Sequence, residues 1–151
     1  MDEGRAKAAA ALLLTTPFTP LLFQGEEWAA STPFLYFTAH ADPALGKAVS
    51  EGRRREFAAF GWNPDKVPDP QDPGTFEQSK LRWEELDQPY HRRMLGWYRD
   101  LIAMRRRMPA VARGVKAHVD GDRIVFERDG VVVRVSLCEP DCTEVEVVEH
   151  A

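Results

Sequence analysis

The chain has 151 residues, enough for one ordinary domain or two small ones, and 44% of them are hydrophobic, which can fill a core and excludes general disorder. Twenty Lys and Arg against 24 Asp and Glu leave a net charge of −4, so the basic excess of a nucleic-acid binder is missing. The charge is unevenly placed: residues 1–108 carry 15 groups of each sign, whereas residues 109–151 carry 5 basic and 9 acidic ones. Two dissimilar regions are expected.

Asp2 is placed to cap a helix over residues 3–15, where good helix formers run without a break. Its later part, residues 8–14, is apolar all round, which predicts a helix covered on most sides. That run is far shorter than the ~20 residues needed to cross a bilayer, and no small-residue cleavage site follows it. A soluble, cytoplasmic protein with no membrane partner is expected. Pro17 and Pro20 end the helix. Residues 20–23, Pro-Leu-Leu-Phe, closed by Gln24-Gly25, predict a short buried parallel strand. Helix, loop, buried strand and polar tip form the rhythm of an α/β unit.

Residues 25–89 are rich in aromatic residues and proline, with short helices predicted over 43–51 and 53–60. Eight of the 15 Phe, Trp and Tyr residues lie between Trp28 and Phe76, which separates this stretch from a disordered linker. The period of three and four in Met94, Leu95, Tyr98, Leu101, Ile102 and Arg105 predicts a helix over 91–108, with cations at its C-terminal end. After Pro109 the period changes to two. Strands are predicted over 115–119, 123–128, 131–137 and 145–149, with Asp120-Gly-Asp122 and Asp129-Gly130 as turns. The division near 109–114 therefore separates a mixed α/β part from an antiparallel β part.

Several residue types invite chemistry. Cys138 and Cys142 are spaced one residue wider than a redox pair and have no second pair for zinc, so they read as reduced thiols. The histidines 40, 91, 118 and 150 show no metal-ligand spacing, and no nucleotide-binding glycine motif occurs; no metal and no cofactor are expected. Glu26 and Glu27 follow the predicted strand, where α/β enzymes carry their reactive groups. As sequence neighbours they point different ways, so one of them can line a site but the two make no catalytic dyad. Trp28, Phe34, Tyr36 and Phe37 read either as a stacking wall for sugar rings or as packing of the long loop. His40 with Asp42 reads as a polar pair for hydroxyl groups or as a structural hydrogen bond. The arginines at 53–55 and 105–107, interleaved with or close to acids, read as solvated or salt-bridged helix faces.

Residues 20–42, PLLFQGEEWAASTPFLYFTAHAD, resemble the eighth barrel strand and following loop of the malto-oligosyltrehalose trehalohydrolase family, within the alpha-amylase superfamily. Gly52-Arg-Arg-Arg-Glu-Phe57, Val67-Pro-Asp-Pro-Gln-Asp-Pro73 and the helix through Trp97-Tyr98-Arg99 resemble further blocks of that family. The resemblance implies an α/β region followed by an all-β one. Residues 1–108 would be the last strand and flanking helices of a (β/α)8 barrel, and residues 109–151 a partial C-terminal antiparallel β-sandwich. It implies hydrolysis of the α-1,4 bond next to the terminal trehalose of maltooligosyl trehalose by three carboxylates. Those carboxylates follow earlier barrel strands, so no catalytic residue is transferred to this chain, which is expected to be inactive alone. By position, Glu26, Trp28, His40 and Asp42 would line the sugar cleft. Ala39 departs from the family pattern, which has an aspartate there. The implied partners are an α-glucan in the context of the full barrel and the missing N-terminal part of the enzyme. Two alternatives remain: a non-enzymatic module binding glucan or protein, or a fragment of a branching or debranching relative. An isolated barrel strand leaves backbone groups open, so unaided folding of the first half is not expected.

Overall fold

The computed structural model describes residues 3–136 and 143–150; the expected Asp2 cap and both cysteines lie outside the described residues. The chain divides into two compact units, one formed by Ala30–Trp83 and the other by Met1–Ala29 together with Glu84–Ala151. The packing therefore does not follow the charge division near residue 109, because helices from the first region share a unit with the sheet.

In the larger unit, helix α1 (Glu3–Thr15) packs against helix α4 (Pro89–Arg107) and against two strands. Between them in sequence lie α2 (Pro43–Ala59) and α3 (Pro73–Gln78) of the other unit. The strands β1 (Val115–Asp120), β2 (Arg123–Arg128), β3 (Val131–Ser136) and β4 (Glu144–Glu149) form one antiparallel sheet in the order β1-β2-β3-β4. The second hairpin turns at Asp129 and Gly130, with φ of 48° and 86°. Positive φ at both central residues is what a two-residue turn needs to match strand twist, and Asp-Gly is a sequence suited to it.

Val131, Val133 and Val135 point to one face of β3, where they meet Ala8, Ala11, Leu14, Met94, Tyr98 and Leu101. That period-two pattern from the strand and period-three-and-four pattern from the helices make one shared core. The apolar helix α1 thus finds its cover within the chain itself. Glu3 at its start accepts hydrogen bonds from Arg93 of α4, at 3.1 Å, and lies 2.7 Å from Lys7. The Arg93 guanidinium first, and then Lys7, hold its carboxyl down at about 2.

The expected parallel strand over 20–23 is not formed. The segment is irregular, and Leu21 is 84% exposed. A buried strand needs a neighbour for its ladder, and among the described residues none pairs with this one. Instead the Phe23 N–H donates to Glu26 Oε2 at 3.1 Å, and the Phe23 carbonyl accepts from the Glu26 N–H at 3.0 Å, which closes the chain into a turn. Among the described residues the β region is one four-stranded sheet with helices against it.

In the smaller unit, the two short helices expected over 43–60 are one, α2, running through Gly52. A glycine inside a helix costs only about 1 kcal/mol, less than breaking the helix there. Asp42 caps it by accepting from the Ala44 N–H at 2.9 Å, with Pro43 in the first turn. Asp72 and Pro73 repeat the device for α3, an element the sequence reading missed. Asp69 joins these elements: its Oδ1 accepts from the Ser50 hydroxyl at 2.6 Å and the Gln71 N–H at 3.0 Å. Those donors, Ser50 foremost, lower its carboxyl below the usual range. The helix face at 47–56 carries the expected ion pairs, including Arg53 with Glu56 and Arg55 with Glu51.

Candidate functional site

The four residues singled out by position divide between the two units: Glu26 and Trp28 in the larger, His40 and Asp42 in the smaller. Glu26 opens a 3₁₀ turn (Glu26–Trp28) that Gly25, at φ 81°, and Ala29, at φ 55°, bracket in the left-handed region. Both oxygens of its carboxylate are in use. Oε2 takes the Phe23 N–H, and Oε1 accepts from the Tyr98 hydroxyl of α4 at 2.8 Å.

Trp28 is 3% exposed and offers no open face for stacking. Its carbonyl lies 2.7 Å from His91 Nδ1. A carbonyl can only accept, so that nitrogen carries the hydrogen. The aromatic wall is therefore not one surface. Phe34 and Phe37 touch at a ring separation of 5.8 Å, and Phe37 meets Phe76 at 5.0 Å, in the smaller unit.

His40 is exposed, and its backbone N–H donates to Gln71 Oε1 at 3.2 Å. Asp42 is the α2 cap. No hydrogen bond joins the His40 and Asp42 side chains among the described residues, so the reading of the two as a structural hydrogen bond is not met. Ala39 lies in a cleft bounded by Phe37, Gln71 and Phe76. Among the described residues no group of three His, Cys, Asp or Glu side chains is placed to hold a metal ion, and no helix is long and apolar enough to cross a membrane.

Two residues that matter to the 25–29 turn escaped the sequence reading as contacts: His91 and Tyr98, which grip it from α4. Their spacing from Met94 on the buried stripe was the signal available. Tyr98 is buried beside a carboxylate. Burial first, then the hydrogen bond and negative charge of Glu26, raise its phenol well above the ordinary value of 10.0. Because the folded value is the higher one, this group favours the folded state below pH ~10 and loses that contribution as pH rises further. A phenolate absorbance titration of the three tyrosines should show one ionising late, in step with alkaline unfolding. Tyr98→Phe should remove the late step and lower stability by about 1 kcal/mol. A late step that survives the substitution would place it on another tyrosine.

No family model matches the chain. The malto-oligosyltrehalose trehalohydrolase of Rhizobium sp. strain M-11 is 56% identical over 145 residues, which is 92% of this chain and 24% of that protein. The one from Arthrobacter ramosus is 49% identical over 137 residues, 91% of this chain and 24% of the relative. The chain is homologous to part of the malto-oligosyltrehalose trehalohydrolases. The trehalohydrolase of Mycobacterium tuberculosis adds 42% identity over 152 residues, with 96% of this chain and 26% of its own length covered. The chain thus spans about a quarter of the length of these trehalohydrolases. Among solved structures, an alpha amylase candidate from Salmonella typhimurium superposes with a TM-score of 0.69 at 34% identity, covering 89% of this chain and 24% of that one. Helices followed by a four-stranded antiparallel sheet are therefore shared with an alpha-amylase-type protein.

Proposed function

We propose that this chain is the C-terminal part of a trehalohydrolase. Its 3–29 and 84–108 segments would serve as the closing helices and last strand position of a (β/α)8 barrel, and its sheet as part of the β domain behind it. The complete protein would hydrolyse the α-1,4 bond next to the terminal trehalose of maltooligosyl trehalose. The observation that carries this reading is the 42–56% identity to trehalohydrolases across more than nine-tenths of this chain, matched to only about a quarter of theirs. The irregular 20–23 segment supports it: exposed Leu21 and Phe23 are what a barrel strand looks like without its neighbours. The reacting carboxylates that the resemblance implies stand on the unmatched three-quarters. Glu26 is committed to Tyr98 and the Phe23 N–H, so it braces the turn and does no proton transfer. His40 and Asp42, both exposed, are left to line the sugar cleft.

The test is an assay of trehalose release from maltooligosyl trehalose. The purified chain alone should release none. Mixed with the complementary portion of the Rhizobium relative, it should restore release above that of the portion by itself. Trehalose release by the chain alone would overturn the assignment of chemistry to the other portion. A mixture no more active than its parts, with both parts folded, would overturn the assignment of these residues to the barrel.

A further inference from the structure

We infer that the smaller unit carries a binding place for one sugar ring of a neutral glucan, in the cleft between the 34–36 segment and the C-terminal half of α2, with Trp62 and Arg53 as its contact residues. This deepens the reading above, because the ligand class rests on the chain belonging to a protein that acts on glucans. The location rests on geometry alone.

The end of α2 is built to present Trp62. Phe60 caps the helix, Gly61 follows at φ 80°, and the N–H groups of Gly61 and Trp62 return to the carbonyls of Ala58 and Phe57 at 3.0 and 3.1 Å. This is a Schellman ending, and it brings residue 62 back over residue 57. The two rings meet with centroids 5.0 Å apart. The motif asks only for an apolar side chain at 62. A tryptophan is there, and it is 62% exposed, far more than the contact with Phe57 requires.

Beside it the Arg53 guanidinium lies 4.5 Å from the centre of the Phe57 ring and 4.9 Å from that of Tyr36, with one nitrogen 3.2 Å from Glu56 Oε2. These side chains, with Val67 and Pro68, bound a cleft of about 210 Å³. At ~30 Å³ per water that is room for about seven waters, the scale of one monosaccharide ring.

The chemistry of the lining selects the occupant. Arg53 is the one charged residue in it and is already balanced by Glu56, so an anion gains no net charge here. A purely apolar group would cover the remaining guanidinium N–H donors without giving them an acceptor, which is costly. A pyranose ring satisfies both demands: its axial C–H face lies on aromatic carbon, and its hydroxyl oxygens accept from the guanidinium.

The experiment is a titration of the full chain with maltotriose, followed by the indole N–H signals of the four tryptophans. One signal, identified by its loss in Trp62→Leu, should shift and saturate at a concentration on the order of millimolar, as expected for a single shallow ring site. Leucine keeps the apolar contact with Phe57, so the helix end should remain folded by circular dichroism. Trp62→Leu and Arg53→Met, each followed through chain signals outside the cleft, should weaken binding at least about tenfold, whereas Trp83→Leu should leave it unchanged. A wild-type titration in which Trp62 does not shift overturns the proposal whatever the variants do. So does an equal, competing shift with inorganic phosphate. If maltotriose binding fails while the mixed portions still release trehalose, the cleft assignment is wrong and the family reading stands.

Discussion

Arg128→Met should lower the unfolding free energy by about 3–5 kcal/mol, the loss typical of a buried ionic group deprived of one partner. Arg128 lies on β2 and is 3% exposed. Its Nη1 donates to the carbonyls of Thr15 and Thr16 at 3.2 and 2.6 Å, its Nη2 to that of Pro109 at 2.9 Å, and its Nε to Asp129 Oδ2 at 3.3 Å. The first two acceptors are the last carbonyl of α1 and the one just after it, which have no partner within the helix and sit at the negative end of its dipole. The third follows α4. One side chain therefore ties the sheet to both helices, and methionine can fill its volume while taking a donor from the Thr15 and Pro109 carbonyls and from Asp129 Oδ2. Arg105 reaches the same place from α4, donating to Leu14, Thr16 and Phe18 at 2.7, 2.8 and 2.7 Å. Burial, and then the charge of Arg128, press its guanidinium value down. Since both arginines bond the Thr16 carbonyl, each single variant leaves it one donor, and the double substitution should cost more than the sum of the single ones. Urea unfolding of the four forms measures this. Strict additivity would mean that the carbonyl cluster is not shared. Lysine at 128 should recover little, because one ammonium cannot reproduce the planar fork that spans three carbonyls.

Those arginines show where sequence reading reaches its limit. The three at 105–107 look alike in sequence, and a solvated or ion-paired face was expected for all of them. Arg107 does pair with Glu149, at 2.6 Å, but Arg105 turns inward to the end of α1. Nothing local distinguishes them, since the acceptors come from residues some 90 positions earlier. Elements with strong internal periodicity were legible: α1, α4 and all four strands stand within two residues of expectation, and the Asp-Gly turn set the second hairpin. What depends on partners was not. The run over 20–23 has the composition of a buried strand, but a strand is a relation between segments, and among the described residues none pairs with it. The candidate site was legible in kind and not in arrangement. Glu26 and Trp28 are conspicuous at 26–28, yet the Glu26 carboxylate is taken by Tyr98, and Trp28 is buried with its carbonyl held by His91. Asp42 reads as a polar contact and is a helix cap, a role that the following Pro43 signals. Trp62 drew no notice because its meaning lies in the glycine before it and in Phe57 beneath it.

Val133→Asp should abolish cooperative folding of the larger unit. Val133 is 0% exposed on β3, paired across to Phe126 on one side and Val147 on the other, and it faces α1 and α4. The side chains clustered with it are valine, alanine, leucine and methionine, together with the Tyr98 phenol, whose hydroxyl is already given to Glu26. A carboxylate there must either ionise without a partner or take up a proton and still lack an acceptor. The uncompensated cost is several kcal/mol, added to the cavity term of a lost branched side chain. Against a whole-domain stability of roughly 5–15 kcal/mol, that leaves little or no folded population. The companion Val119→Asp makes the same chemical change on β1, where the residue is 73% exposed, and should alter stability by no more than about 0.5 kcal/mol. The two are compared by near-ultraviolet circular dichroism and urea unfolding. Loss of the sharp transition in the first variant alone locates the core on the helix-facing side of β3. Equal behaviour of the pair would mean that α1 and α4 do not cover that face, and the shared core of helices and sheet would have to be abandoned.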